Sequence, residues 1–142
     1  MKKSKKIIAL IFAVVLALSA CGSDQLPEGV DVDLSRMSGT VVYGKVYDMV
    51  TNGKNYQDQI VRMHGTMSSI DVKDKGKYVE TLYSCVIFDA AGCCSQGIEF
   101  VLADQNAEYP PLGKEITVEG RWDWYQLYGI DRYRLLDAVV LK

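Results

Sequence analysis

Residues Tyr83–Phe100 read YSCVIFDAAGCCSQGIEF, and the rest of the chain can be placed around them. Tyr83–Phe88 is an extended run of aromatic and β-branched residues, and Ile98–Leu102 is a second. Between them, Asp89-Ala90-Ala91-Gly92 is a turn signal, so the stretch reads as a β-hairpin. Three of the four cysteines lie here: Cys93 and Cys94 side by side at the knuckle, and Cys85 one strand-length upstream. The chemistry of the chain is therefore expected at this knuckle.

Toward the C-terminus, Asp104–Gly113 is a loop stiffened by Pro110-Pro111. Glu115–Tyr125 then alternates strictly, with Ile116, Val118, Gly120, Trp122 and Trp124 on one face and Glu115, Thr117, Glu119, Arg121 and Asp123 on the other. A turn at Gly129 leads into a last strand, Arg132–Leu141. Toward the N-terminus, a charged turn, Lys73–Lys77, precedes the strand Tyr78–Asp89. In IVRMHGTMSSIDV, Val61, Met63, Gly65 and Met67 fall on one side, and Ile60, Arg62, His64 and Thr66 on the other. Mid-strand glycines at 65 and 120 mark bends or close backbone approach. Ser38 is placed to cap a helix over Gly39–Thr51, with Val42, Val46, Tyr47, Met49 and Val50 along one side and Asn52-Gly53 as its stop. Five strands with turn signals, coiling glycines and a chain-terminal strand predict a mostly β domain over 38–142: a five-stranded OB-like barrel preceded by one α-helix. A five-stranded sandwich of other connectivity is the alternative.

The first 37 residues stand apart. Lys2, Lys3, Lys5 and Lys6 precede the apolar run Ile7–Ala20, which is shorter than the roughly 20 residues a membrane span requires. This is the layout of a signal peptide, assigned to 1–20. Ser23–Arg36 is polar and acidic, and 21–37 is read as the lipid-bearing cysteine and a tether. Leu18-Ser19-Ala20-Cys21 resembles the lipobox of bacterial lipoproteins. The resemblance implies cleavage before Cys21, diacylglyceryl and palmitate-type acylation of its thiol, and anchoring on the outer face of the cell membrane. Gly22 in place of aspartate points to a Gram-positive cell. Without residues 1–20 the chain keeps 12 basic and 18 acidic residues, a net charge of −6. Such a surface is a poor partner for nucleic acid, whose binding rests on phosphate neutralisation.

Two fragments, Y-x-x-Q-I-V-R-M-H-G from Tyr56 and P-P-L-G-K-E-I-T-V-E-G-R-W from Pro110, are similar to strands one and four of bacterial extracytoplasmic OB-like domains. The Cys-Cys pair before a G-I-E-F-V strand resembles Gram-positive lipoproteins of unsettled function and the C-terminal domain of small permease-complex subunits. The resemblance implies a fold, a location and a permease or envelope complex as partner; it implies no activity.

Once Cys21 is acylated, three cysteines remain, and three readings stay open. Cys85 pairs with Cys93 or Cys94 in a disulfide, as an oxidising compartment allows. Alternatively, Cys85, Cys93 and Cys94 with His64 hold zinc or copper, for which strand parity turns Cys85 outward beside His64 if Val86 and Phe88 are core. Adjacent cysteines lack the usual ligand gap, which counts against a metal. In the third reading all three thiols are structural. No cofactor is expected outside the metal reading. A single histidine, no G-x-S-x-G and no glycine-rich phosphate loop argue against an enzyme. The carboxylates Glu115/Glu119 and Asp89/Glu99 read as surface charge. Trp122 and Trp124 read as barrel core, while a rim of Trp124, Tyr125 and Tyr128 is the candidate ligand platform. The expected function is a membrane-anchored, non-enzymatic binding or accessory module. The alternatives are a metal- or thiol-handling lipoprotein using the cysteine cluster and a cell-wall or sugar-binding module.

Overall fold

A computed structural model describes residues 26–142, so the expected signal peptide and Cys21 lie outside the described residues. The chain runs β1 (Val32–Asp33), α1 (Gly39–Thr51), β2 (Ile60–Asp74), β3 (Lys77–Phe88), β4 (Ser95–Leu102), β5 (Glu115–Leu127) and β6 (Ile130–Leu141). Short 3-10 turns occupy Leu34–Arg36 and Gly53–Tyr56. Strand β2 is long enough to serve two neighbours: Ile60–Thr66 pairs with β5, and Thr66–Asp74 with β3. From β3 the pairing passes to β4, then in parallel to β6, and then to β5, which returns to β2. Five strands thus close a ring, as the OB-like reading requires and a sandwich does not.

Two mid-strand glycines sit where the ring is tightest. A Cβ at Gly65 would lie 2.4 Å from the Val86 carbonyl oxygen and 3.0 Å from Cys85 Sγ. At Gly120 it would lie 2.9 Å from the Leu136 carbonyl oxygen. Backbone oxygens cannot swing aside as a flexible side chain can, so these positions exclude any larger residue at low cost.

The inward face of β2 (Val61, Met63, Met67) meets Ile98, Phe100, Ile116, Val118, Trp122 and Leu135, all buried. Each such side chain contributes on the order of 1.5–3 kcal/mol by leaving water. Trp122 satisfies its indole by donating to the Gly53 carbonyl at 2.9 Å and stacks on Tyr133 with centroids 5.5 Å apart. Helix α1 keeps its expected bounds and buries Val42, Val46 and Met49 in the same core cluster, while Tyr47 faces solvent. Ser38 occupies the N-cap position, but its side chain makes no capping bond; its carbonyl accepts from Val42 N at 2.8 Å. No helix among the described residues is long and apolar enough to cross a membrane.

Two expectations are corrected here. The tether does not extend to residue 37: Val30, Val32 and Leu34 are buried, and β1 pairs in parallel with Val61–Arg62 of β2. The cause is the alternation Val30-Asp31-Val32-Asp33-Leu34, which gives the segment one apolar face. Trp124 is not core but 38 % exposed. β6 pairs with β4 only over Arg134–Ala138, so past Tyr133 the β5–β6 hairpin is a two-stranded arm with no third strand to cover it. The β2–β3 hairpin likewise projects beyond Ser84, where its pairing with β4 begins.

Candidate functional site

The two arms diverge over β4 and leave a groove of about 450 Å³, within the range of small-ligand pockets. Glu99 lies in it, only 8 % exposed. Its carboxylate accepts from the Tyr125 hydroxyl on one oxygen and from the Arg132 guanidinium on the other. Both carboxylate oxygens, though taken out of water, thus have hydrogen-bond partners. Loss of water and the Glu99 bond both raise the Tyr125 pKa, burial contributing more. Arg134 lies 4.4 Å over the Tyr125 ring and donates to Asp123 at 3.1 Å. Across the groove, Tyr83 stacks on Tyr109 at 3.8 Å, and Tyr109 leans on Phe100. The Tyr109 hydroxyl bridges β4, accepting from Leu102 N and donating to the Phe100 carbonyl.

Glu99 is therefore not surface charge. Strand parity does turn it away from the ring interior, but Tyr125 and Arg132 from the neighbouring arm cover that outer face. The expected rim of Trp124, Tyr125 and Tyr128 is also divided. Tyr125 faces the groove, and Trp124 carries the Lys54 ammonium 4.9 Å over its ring. Tyr128 is exposed in the tight turn before Gly129, with φ +51°.

The three cysteines among the described residues fall into two groups, and all three are free. Cys85 is fully buried beside Gly65, and with Ile87 it faces the core, while Phe88 is exposed. The parity that set Val86 and Phe88 inward is thus reversed, and no Cys85 bridge to the knuckle forms. Burial pushes the Cys85 thiol up to about 12. His64 is exposed on the outer face of β2, with Nδ1 3.0 Å from Thr117 Oγ1 and Nε2 3.3 Å from Glu115. It belongs to a cross-strand polar cluster and not to the cysteines.

At the knuckle, Gly92 N donates to the Asp89 carbonyl at 3.0 Å, and Gly92 takes φ +68°, which turns the chain back. Asp89 Oδ1 then accepts from Cys93 N at 2.9 Å and Cys94 N at 3.4 Å, while Oδ2 accepts from the Cys93 thiol at 3.1 Å. The two sulfurs are 3.8 Å apart. The hydrogen bond from Cys93 holds the Asp89 carboxyl below its usual range. That same bond, with Cys94, raises Cys93 to about 11. Sequence reasoning placed Cys93 and Cys94 here but missed Asp89. The signal was an aspartate opening a glycine-closed turn, where its side chain bonds the backbone ahead of it.

Compared with family models, curated proteins and solved structures, the chain matches none.

Proposed function

We propose that the protein is a lipid-anchored module on the outer face of the cell membrane, binding a polar chain molecule in the groove over Glu99 without catalysing a reaction on it. The observation that carries this reading is the held carboxylate of Glu99, fixed by Tyr125 and Arg132 beside the Tyr83–Tyr109 stack. A positioned charge beside aromatic faces is the lining expected of a site that orients a ligand. Aromatic rings stack on sugar faces or peptide planes, and Glu99 accepts hydroxyl or amide donors. With a net charge of −6 after loss of the leader, an oligosaccharide or peptide fits better than nucleic acid. The lipobox resemblance supports the anchor, and a permease or envelope complex is the partner this location favours.

Two measurements test the reading. Cells fed a clickable fatty acid should label the protein, and Cys21→Ala should abolish both label and processing. Wall-derived oligosaccharides and peptides should bind the wild-type protein, and Glu99→Gln or Tyr83→Ala should weaken binding by roughly tenfold or more with an unchanged fold, the scale of one lost charge-assisted bond or aromatic contact. Binding that survives both substitutions removes the groove from the reading.

A further inference from the structure

We propose that Asp89, Cys93 and Cys94 form a three-ligand site for a thiophilic divalent cation of the zinc type, independent of Cys85 and His64. It is also separate from the groove, since Asp89, one residue past the end of β3, lies six residues beyond Tyr83, about 20 Å at strand rise.

The argument begins with the backbone. In an extended strand, successive side chains point to opposite faces, so adjacent cysteines do not converge. Here the turn at Gly92 and the double acceptance by Asp89 Oδ1 take Cys93 and Cys94 out of extended geometry. Their sulfurs lie side by side at 3.8 Å. In a tetrahedral site with metal–sulfur bonds of about 2.3 Å, the sulfur–sulfur edge is about 3.8 Å. The third ligand is also in place: Asp89 Oδ2 is 3.1 Å from Cys93 Sγ, and all three donor atoms lie within 4.8 Å of one another. A tetrahedral sulfur–oxygen edge is about 3.6 Å, so the carboxylate must give way by about half an ångström when metal replaces the thiol proton. Both cysteines are exposed, so a cation can enter from solvent.

The surroundings fit a loaded site. Two thiolates and one carboxylate around a divalent ion leave a net charge of −1. The first turn of α1 lies against this loop, since a Cβ at Gly39 would stand 3.6 Å from Ala90 Cα. A helix N-terminus favours negative charge beside it. Three protein ligands leave the fourth vertex open, as in exchangeable and catalytic zinc sites and unlike closed structural ones. The carboxylate and the tetrahedral edge favour zinc over copper(I), which prefers sulfur alone.

The test uses the full chain in detergent, kept reduced with a phosphine and stripped of metal. Zinc is titrated against a chromophoric chelator, and cadmium is used to read thiolate charge-transfer absorption. We expect one equivalent of zinc and one of cadmium, with the cadmium band lost in Cys93→Ser and in Cys94→Ser. Zinc affinity should fall at least a hundredfold in either serine variant and about tenfold in Asp89→Asn, while Cys85→Ala and His64→Gln bind as wild type. Besides Cys21, two thiols should alkylate readily in native protein, and zinc should protect both. Affinity unchanged in the double serine variant, binding that requires Cys85 or His64, or no protection by zinc would each overturn the proposal.

Discussion

Cys85 and Cys93 belong to the same hairpin, and different forces hold their protons. Cys85 has lost its water: packed against Gly65 inside the ring, its thiol is pushed up to about 12 by burial. Cys93 is exposed, and the acceptor carboxylate of Asp89, aided by Cys94, raises it to about 11. Similar thiol acidities therefore mean different things. The first is coupled to folding, because only the folded chain removes Cys85 from solvent. The second rests on a single exposed contact with Asp89, which unfolding also breaks but which a change at the knuckle alone can remove.

The largest expected effect separates the two at high pH. A free cysteine titrates near 8.5–9 in the unfolded chain and at about 12 for Cys85 in the folded one. The folded pKa is raised, so this contribution is complete below about pH 9 and is lost as pH rises toward 12. Some 3 pKa units correspond to a loss on the order of 4 kcal/mol. Urea unfolding of wild type and Cys85→Ala across this window should show a fall in both, since Cys93 and Tyr125 also hold their protons more tightly in the folded chain, but a clearly shallower one in the variant. Parallel curves would mean that Cys85 is not what couples pH to folding.

A smaller effect tests the contact that buries Cys85. Gly65→Val places carbon 2.4 Å from the Val86 carbonyl oxygen, forcing strands β2 and β3 apart. Overpacking of this kind costs about 1–3 kcal/mol, visible as a lowered thermal midpoint. An unchanged midpoint would mean that the ring has slack at this crossing. The smallest effect belongs to the other cysteines. Cys93→Ser and Cys94→Ser, both exposed, should alter metal-free stability by less than about 0.5 kcal/mol. A larger loss would give the knuckle a structural duty.

The same contrast explains what could be read in the sequence. Helix α1 and all five ring strands follow from periodicity and turn residues, since α1 presents one apolar side and β2 and β5 alternate cleanly around Gly65 and Gly120. In β3, the run Cys85-Val86-Ile87-Phe88 is apolar at both parities, so periodicity cannot choose which side faces in. The choice is made by the close approach of Gly65, a contact with a residue 20 positions away. Glu99 was misread for a similar reason. Its own strand turns it outward, but Tyr125 and Arg132 come from an arm whose path depends on ring closure. Asp89 and the strand-like Val30–Leu34 segment were legible, the first through turn chemistry and the second through alternation.

That early segment has a mechanical consequence. Asp31 N donates to the Ile60 carbonyl at 2.9 Å, and Asp31 Oδ2 accepts from Ile60 N at 2.8 Å, fastening the chain to the start of β2. Were Cys21 fixed in the bilayer, nine residues at most would separate it from the docked chain at Val30, rather than some fifteen to Arg36. Nine residues at full stretch span at most about 30 Å, some 20 Å less than a leash reaching residue 36. The β domain would be held within about 30 Å of the headgroups. It could then engage only molecules that come within a few nanometres of the membrane.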